Sequence, residues 1–543
     1  MSFRICDDGP ESGFWRRETA HYPSGISRHL WELLLPDYVE GTRRTFKRYG
    51  SAIDHMEVLR VRGHIYNRPV FVEDEREIKE RNETANRAIA EKLWRSDRDA
   101  WSAMCSKYHN QLITLSRLDP KAMAPADLLK HLADSRVVFH NGTQAHFELQ
   151  PSSTIPVGDW LRETSEKGEI PVTDIALFLR GQARPADFVH TLDELVGQIH
   201  RSPGQVNSVL NSSRDPAEIL KRLGESSPDL ARSLDEYMDE FGDRIVTGFD
   251  LLDTTLREMP GVFLAVLRSK LNSTPARLSK RTAGEGIENL RRHFPPEHLS
   301  AFEAGLQEAA TAYGLHDEDV RITHLWPLGL IRRAMLAAAN QLVSSGAIAE
   351  ASHVFHTTPA ELDALIDGGS ALSVEELAVR AAKWDAWKQL DAPMTFGERD
   401  DSSPDFKPRE FNRIDLATTF YLTLMESRKG AGPGPEWILV DGIAASPGRY
   451  EGHARVIREP SDFSKLKQGD VLVSRITSSA YNLVMPIIGA VVTDSGGALC
   501  HAAIVAREFG IPAVVGTNQA TILIPDGARV LVDGDRGFVA VRS

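Results

Sequence analysis

Apolar residues recur at three- and four-residue spacing, among many charged ones, through most of the first 390 residues. This period is typical of amphipathic helices that bury one face. It is clearest over residues 72–94, 125–139, 217–223, 230–241, 359–365 and 374–387, and a break at residues 367–369 separates the last two segments. The pattern therefore predicts a large, mainly α-helical domain over residues 1–390.

The helical pattern weakens between residues 391 and 435. Runs rich in proline, glycine or charge occupy residues 391–393, 398–408 and 430–435, and the alternation over residues 416–424 predicts one short strand. Long irregular connections are uncommon inside a compact domain. We therefore expect residues 391–435 to form a linker or hinge region between two domains.

Residues 436–543 show a third pattern, made of short β-rich runs. These runs are residues 438–440, 453–458, 470–474, 490–493, 513–515, 529–532 and 538–541, and the last two flank a hairpin signal at residues 533–537. Among them, Ala502, Val505, Ala506 and Phe509 have the spacing of a helix over about residues 500–509. We expect a compact C-terminal β/α domain, so the chain is predicted to be multidomain.

Composition narrows the classes of function. The chain has 543 residues, of which 26% are charged, and a formal net charge of −13. This acidic balance argues against nucleic acid as the main partner, because phosphate binding needs a surplus of Lys and Arg. The three cysteines, Cys6, Cys105 and Cys500, are too far apart to indicate a disulfide scaffold or a structural zinc site.

The N-terminal residues show no signal-peptide pattern. No apolar run in the sequence is long enough to span a membrane. We therefore expect a cytoplasmic protein that does not enter the membrane.

Candidate chemistry is concentrated in residues 493–517. A β-rich run leads into Gly496 and Gly497, and His501 follows in the first turn of the expected helix. A helix N-terminus offers N–H donors and partial positive charge, which favour a phosphate group, and an imidazole nitrogen placed there is a nucleophile toward phosphorus. No partner ligands indicate a metal site. The residues alone leave two readings, a covalent phosphohistidine or a histidine that only caps a helix.

Residues 493–517 resemble the phosphohistidine motif of the mobile, or swivelling, domain of the phosphoenolpyruvate-utilising enzymes. Further motifs of that family follow the same order at residues 442–448, 451–456, 469–473 and 532–534, so the resemblance covers residues 438–543. It implies a swivelling β/β/α phosphohistidine domain over residues 436–543, with the phosphoryl group carried by His501. The residues that would cradle the phosphate are Gly496, Gly497, Cys500, Arg475 and Thr477. The family usually has a hydroxyl residue at the position of Cys500, and a thiol is a weaker hydrogen-bond donor.

The helical part resembles, more faintly, the acceptor-binding domain of rifampin phosphotransferases and of phenylphosphate-synthase-like proteins. The motifs that carry this resemblance are Trp15 and residues 21–23, 241–244, 249–251, 258–260, 346–348 and 353–355. Asp243 stands where that family commonly has histidine. The neighbouring Arg244 is a candidate phosphoryl stabiliser, with a structural ion pair as the alternative.

The resemblance also implies how the histidine is charged. Enzymes of this group use ATP, through an ATP-grasp module, or phosphoenolpyruvate, through a barrel, and we recognise neither module in the sequence. We therefore expect a subunit that works with a separate ATP-grasp nucleotide-binding subunit. ATP and Mg²⁺ are expected on that partner, AMP and phosphate are expected as products, and no cofactor is expected on this chain alone.

The acceptor implied by the resemblance is a small phenol- or cresol-type hydroxyl compound, which would become an aryl phosphate. A phenol has a pKa of about 10, so a general base would help to deprotonate it. The candidates are His21, His140 and His146, and we expect the last two on either side of a helix break at Asn141 and Gly142. Two other functions stay open, a phosphotransferase for another hydroxylated acceptor such as an antibiotic, and a non-catalytic phosphocarrier or regulatory module.

Overall fold

The computed structural model of the chain describes residues 3–6, 9–10, 12–19, 21–168, 187–201, 203–210, 212, 214–272, 291, 296–313, 315, 319–369, 372–388, 390, 392–397, 412–426, 438–458 and 460–542. The chain divides into two compact units. The first comprises residues 1–152, 243–254 and 319–416, and the second comprises residues 153–242, 255–318 and 417–543. The domain limits expected at residues 390 and 435 stay predictions, since much of the expected linker, residues 398–411 and 427–437, lies outside the described residues.

The helices of the described part are α1 (Arg28–Tyr49), α2 (Glu75–Ala90), α3 (Trp94–Ser116), α4 (Pro125–Gly168), α5 (Asp187–Arg201), α6 (Pro203–Leu210), α7 (Pro216–Glu225), α8 (Pro228–Tyr237), α9 (Pro260–Asn272), α10 (Pro296–Tyr313), α11 (Trp326–Ser344), α12 (Pro359–Ile366), α13 (Val374–Lys388), α14 (Arg413–Glu426), α15 (His501–Phe509) and α16 (Ala520–Leu523). Two π-helical turns, Met238–Gly242 and Arg321–Leu325, adjoin α8 and α11. The mainly helical character expected for the large N-terminal part is confirmed.

The strands are β1 (Phe3–Cys6), β2 (Trp15–Arg17), β3 (Ile53–Val61), β4 (His64–Phe71), β5 (Thr395–Phe396), β6 (Ile438–Asp441), β7 (Ile443–Ser446), β8 (Arg449–Ile457), β9 (Val471–Ser474), β10 (Ala490–Thr493), β11 (Ala513–Val515), β12 (Arg529–Asp533) and β13 (Phe538–Arg542). The first five lie in the first unit and the others lie in the second. No described helix combines the length and the apolar character that crossing a bilayer requires.

The first unit contains a five-stranded sheet that the sequence pattern did not predict. Its strand order is β1-β3-β4-β2-β5, and β3 and β4 form a hairpin. Arg62 and Gly63, between these strands, have φ angles of 47° and 82°, the positive values that a tight hairpin turn needs. The sheet was missed because β3 does not alternate, since its first five residues are half-buried and its last four are buried.

Helix α4 is continuous through Asn141 and Gly142, so the break expected between His140 and His146 is wrong. A Cβ atom on Gly142 would lie 2.7 Å from the carbonyl oxygen of Thr323. Glycine at this position therefore allows a close approach between two segments and does not make a turn. Six residues of an unbroken helix correspond to about 600° of rotation, so the two histidines point about 120° apart.

The second unit combines helices with an eight-stranded sheet. Its helical part includes α7 and α8, which confirm the helices expected over residues 217–223 and 230–241, and the rings of Tyr237 and Phe241 stack at 4.8 Å between centroids. The sheet has the order β6-β13-β12-β8-β9-β10-β11-β7. Strands β8, β9, β10 and β11 pair in parallel, and β12 and β13 form the expected antiparallel hairpin.

The strand expected over residues 416–424 is wrong, because this segment lies in helix α14. Asn412 Oδ1 accepts hydrogen bonds from the N–H groups of Ile414 and Asp415 and so caps the start of the helix. Ile414, Ala417 and Tyr421 are buried at spacings of three and four residues. The helical period therefore decides the burial of this segment.

Candidate functional site

Two parallel strands bring the candidate phosphate-binding residues to one edge of the second unit's sheet. β9 and β10 run side by side, with Ser474 opposite Thr493 at their last residues. Because the carboxyl ends of parallel strands meet at the same edge, the loops that follow them also meet. Arg475 and Thr477 lie in the first loop, and the second loop leads to His501.

The loop before His501 turns sharply at Gly496. This residue has a φ of 121°, and a Cβ atom on it would lie 2.6 Å from the Sγ atom of Cys500. Both facts require glycine at this position. The carbonyl of Gly497 accepts a hydrogen bond of 3.1 Å from the N–H of Cys500, which closes the turn onto the start of α15.

His501 is the first residue of α15 and is half-buried. Its Nδ1 atom lies 3.0 Å from Oγ1 of the buried Thr477, 24 residues earlier in the chain. The loop that carries Thr477 is held by Ser474, whose hydroxyl donates to the carbonyl of Ile476 at 3.1 Å. This contact orients the imidazole ring through Nδ1, and the other ring nitrogen, Nε2, is buried.

Cys500 precedes the histidine and caps α15 through its backbone, without a hydrogen bond from its side chain to the helix. Burial raises the pKa of the Cys500 thiol, although neighbouring backbone N–H groups and Arg507 oppose the shift. The thiol is therefore held in its neutral form. A neutral thiol adds no negative charge beside a phosphoryl group.

Arg475 contributes to this loop in two separate ways. Its carbonyl accepts a hydrogen bond of 2.8 Å from the N–H of Ser495, which ties the β9 loop to the β10 loop. Its side chain is exposed and forms no hydrogen bond or ion pair with the residues that the structure describes. The phosphate contact expected of its guanidinium stays a prediction.

An apolar cluster within the second unit packs against the loop before His501 and against α15. Leu499 and Ile504 are buried in this cluster together with Trp160 of α4 and Phe302 of α10. The indole N–H of Trp160 donates to the carbonyl of Phe302 at 3.2 Å, which fixes the two helices to each other. The residues on both sides of His501 are therefore held by packing.

A second group of polar residues, which we call the histidine cluster, lies in the first unit and consists of His146, Asp319 and His324. His146 Nδ1 lies 2.6 Å from Oδ2 of Asp319, and their side chains are only 13% and 4% exposed. The rings of His146 and His324 are 4.9 Å apart between centroids. Burial, together with the charges of His146 and His21, lowers the pKa of His324 well below its usual value, so His324 stays neutral.

His21 lies near this cluster but is 55% exposed. Its Nδ1 is 3.1 Å from Glu18, and its ring meets that of Phe249 edge-on at 5.0 Å between centroids. Burial by itself would raise the pKa of Glu18, yet His21 and the backbone N–H of Tyr22 outweigh burial and lower it. The structure therefore brings two of the candidate bases, His21 and His146, toward His324.

The other two candidates of the first unit have different surroundings. His140 is 54% exposed and its Nδ1 lies 2.7 Å from Asp37. The guanidinium of Arg244 lies 4.8 Å from the ring centre of Trp326, in a cation–π contact, and the residue is buried. The neighbouring Asp243 pairs with Arg333 at 2.9 Å. The roles predicted for His140 and Arg244 stay predictions.

Sequence reasoning missed Asp319 and His324. Both follow a segment without a recognisable motif, and they meet His146 only because the π-helical turn Arg321–Leu325 packs against α4. π-helical turns are rare and are found frequently at functional sites, but no pattern in this sequence predicts one. Thr323, whose hydroxyl donates to the carbonyl of Asp319 at 2.7 Å, belongs to the same turn.

Among the described residues, no three His, Cys, Asp or Glu side chains lie close enough together to hold a metal ion.

Comparisons with known proteins match two segments of the chain. Residues 466–537 match the PEP-utilising enzyme mobile domain, and residues 152–315 match the rifampicin phosphotransferase fourth domain. The first segment contains Arg475, Thr477, Gly496 and His501. The second segment overlaps the helical part of the second unit.

Three curated proteins are also similar in sequence to parts of this chain. A rifampicin phosphotransferase of Streptomyces sviceus is 25% identical over 395 residues, which are 70% of this chain and 40% of that protein. A chondramide synthase of Chondromyces crocatus is 29% identical over 288 residues, 51% of this chain and 7% of that protein. A probable phosphoenolpyruvate synthase of Archaeoglobus fulgidus is 48% identical over 102 residues, 19% of this chain and 14% of that protein.

In each case the match spans less than half of the relative's own length. The match to the phosphoenolpyruvate synthase covers about as many residues as the β/α domain that carries His501. Residues 466–537, which include His501, are therefore similar to the mobile domain of the PEP-utilising enzymes, and residues 152–315 are similar to the fourth domain of rifampicin phosphotransferases.

Proposed function

We propose that this chain is a phosphotransferase that carries a phosphoryl group on His501 and passes it to the hydroxyl group of a small molecule. One observation carries the proposal. The ring of His501, at the N-terminus of a nine-residue helix, is oriented by Thr477 at 3.0 Å inside the segment that matches the mobile domain. A helix cap would need neither the second loop nor the fixed ring.

The loading step follows from this geometry. With its proton on Nδ1, the imidazole donates a hydrogen bond to Oγ1 of Thr477, and Nε2 attacks phosphorus. The Nε2–P bond forms as the bond to the donor's leaving group breaks. The N–H groups at the start of α15 then face the phosphoryl oxygens, and Arg475 supplies a positive charge.

The acceptor we propose is a phenol or cresol, which becomes an aryl phosphate. The support is the expected separation from an ATP-grasp subunit, as in phenylphosphate-synthase-like systems, because the N-terminal motifs, Trp15 and residues 21–23, resemble those proteins and rifampin phosphotransferases alike. A second acceptor class, an antibiotic-like hydroxyl compound, is favoured by the 395-residue similarity to a rifampicin phosphotransferase. A non-catalytic phosphocarrier would load His501 but would phosphorylate neither class.

The donor we propose is ATP, cleaved by a separate ATP-grasp protein that leaves AMP and phosphate. Phosphoenolpyruvate is the alternative donor, and the similarity to a phosphoenolpyruvate synthase over 102 residues supports it. A phosphohistidine intermediate divides the transfer into two displacements, one that loads His501 and one that phosphorylates the acceptor. Each displacement can then take place in a site suited to it.

The test is to incubate the chain with labelled ATP or phosphoenolpyruvate, with and without a purified ATP-grasp protein, and to map the label. We expect an acid-labile, alkali-stable label on His501, formed from ATP only when the ATP-grasp protein is present. A chase with phenols and with rifampicin then identifies the acceptor class. A functional chain that never carries a label on His501 under any donor would overturn the proposal.

A further inference from the structure

The His146–Asp319 pair has the geometry of an oriented base. Asp319 Oδ2 holds Nδ1 of His146 at 2.6 Å, so the ring nitrogen that remains for other contacts is Nε2. That nitrogen has no hydrogen-bond partner among the described residues. The side chain as a whole is 13% exposed, so part of it is open to contacts outside the cluster.

The surroundings of the pair strengthen this geometry. The second oxygen of Asp319, Oδ1, is buried and has no hydrogen-bond partner in the described part of the chain. A buried carboxylate with one open oxygen is costly unless a positive charge forms beside it. The neighbouring His324 stays neutral, and the rings of Phe139 and Phe147 contact it at 5.6 and 6.4 Å between centroids. His146 is thus the side chain that Asp319 contacts through a hydrogen bond within this cluster.

His140 offers a built-in comparison on the same helix. It also pairs through Nδ1 with a buried aspartate, Asp37, at 2.7 Å. Its Nε2, however, lies 3.2 Å from the amide nitrogen of Gln144, whose N–H donates to it. Both ring nitrogens of His140 are thus already used inside the protein, whereas Nε2 of His146 is not.

We propose that His146 is the base that takes the proton of the acceptor hydroxyl, and that Asp319 is the positioning residue that orients its ring and stabilises the imidazolium. This inference rests on the proposed function, because it assigns the acceptor side of the same transfer. It selects one residue among the three bases that the sequence left open. Asp319 was not among the residues expected from the sequence.

The acceptor oxygen forms a bond to phosphorus as the Nε2–P bond of phosphorylated His501 breaks. The electron pair of that bond returns to His501, which leaves as neutral imidazole with its proton still on Nδ1. The hydroxyl proton of the acceptor passes to Nε2 of His146, whose positive charge is balanced by Asp319.

The experiment uses the full chain, loaded at His501 with phosphoramidate so that no nucleotide partner is needed. Transfer to phenol and to 4-nitrophenol, a much stronger acid, is followed in single-turnover chases. The variants are His146→Gln, Asp319→Asn, His140→Gln and a control, His55→Gln, which disrupts another His–Asp pair of the first unit at 2.8 Å. Loading of His501 is measured separately for each protein by mass spectrometry.

We expect His146→Gln to slow transfer to phenol by about 100-fold or more, within the usual range for loss of a general base. The loss with 4-nitrophenol should be much smaller, because this acceptor is already largely ionised. Asp319→Asn should lower the maximal rate in the same acidity-dependent way and leave the half-saturating phenol concentration unchanged. His55→Gln should transfer at the wild-type rate.

Three results would overturn the inference. One is an unchanged rate in His146→Gln, or a loss equal for both phenols, which a merely structural role would give. Another is an acidity-dependent loss in His140→Gln instead. The third is a wild-type chain that loads His501 and phosphorylates neither phenol, which leaves the carrier assignment intact. Failure to load His501 at all would instead remove the proposed function itself.

Discussion

Two histidines of this chain are held through the same ring nitrogen by different partners. In the second unit, Nδ1 of His501 meets the hydroxyl of Thr477, and in the first unit Nδ1 of His146 meets the carboxylate of Asp319. A hydroxyl orients the ring without adding charge, so the imidazole can take a phosphoryl group and leave again as a neutral group. A carboxylate favours the imidazolium, which suits a residue that holds a proton. The partner, more than the histidine itself, thus distinguishes the two proposed roles, nucleophile and base.

The two regions also differ in how they are supported. His501 depends on a glycine turn and a helix N-terminus, both formed by residues close to it in the chain. His146 depends on Asp319, 173 residues away. Local backbone geometry therefore shapes the loop and the helix start at His501, whereas a contact across 173 residues forms the His146 pair.

The largest expected effect comes from removing the nucleophile. His501→Gln should abolish phosphoryl loading, because no other ring nitrogen occupies that helix N-terminus, while the circular dichroism spectrum stays unchanged. Labelled-phosphate incorporation measures the loss. His453→Gln, on the exposed face of β8 in the same domain, is the control and should load like wild type. If the His501→Gln variant still incorporates phosphate, His501 is not the residue that carries the phosphoryl group.

The next effect in size tests the glycine turn. Gly496→Ala should reduce loading at least tenfold and lower the free energy of unfolding by about 1–3 kcal/mol, because a side chain at positive φ is strained and its Cβ also meets Cys500. Gly527→Ala is the matched control, since Gly527 has a φ of 83° but open space around its Cβ position. Denaturant melts and loading rates measure both variants. Equal loading in the two would show that the contact with Cys500 is unimportant.

A smaller effect tests the partner of His501 directly. Thr477→Val keeps the shape and removes the hydroxyl, and loss of a hydrogen bond worth about 1 kcal/mol should slow loading roughly five- to tenfold. Thr477→Ser retains the hydroxyl and should load nearly as fast as wild type. The measurement is the rate of phosphate incorporation into His501, compared between the two variants and wild type with the same donor. If both variants load equally well, the hydroxyl does not orient the ring.

The last prediction concerns the stability of the first unit at low pH, which should differ from that of the second unit. Burial, together with neighbouring charges, lowers the pKa of His356 to about 4, and it lowers the pKa values of His29 and His324 well below their usual value. These histidines are neutral in the folded first unit, but they take up protons in the unfolded chain below its pKa of about 6.5. Stability is therefore lost as the pH falls from 6.5 toward 4.

Between pH 6.5 and 5.5, the loss should be about 1 kcal/mol for each such histidine. Hydrogen exchange followed by mass spectrometry should show residues of the first unit losing protection before residues 438–542. His356→Gln should reduce this loss of unfolding free energy by about 1 kcal/mol, the contribution of one histidine. A pH-independent first unit would contradict the burial of these histidines as neutral groups.

Most of the phosphohistidine region was predictable from sequence because its determinants are local. The seven strands expected in residues 436–543, the hairpin at residues 533–537 and the helix that starts at His501 are confirmed, whereas β7 was not expected. Glycines, alternating apolar residues and a helix start act within a few residues of one another. The contact between Thr477 and His501 was also inferable, because parallel neighbouring strands end at the same edge.

Two segments outside the phosphohistidine region were less predictable because their local signals compete with tertiary packing. The strand expected at residues 416–424 is a helix, and the break expected at Asn141 and Gly142 is an uninterrupted helix. Both errors followed a local pattern that tertiary packing overrode. Gly142 resembles a helix breaker in sequence, yet in the structure it lets α4 approach Thr323.

By itself, the amino-acid sequence determined the helical and β-rich halves, the position of His501 at a glycine turn and the type of chemistry that such a residue performs. Only the tertiary structure decided which polar side chain faces each histidine. Asp319 reaches His146 through a π-helical turn and a close helix contact, and neither leaves a periodic trace in the sequence. Hydrophobic periodicity records which face of an element is buried, whereas a single polar contact between distant segments depends on how those faces pack.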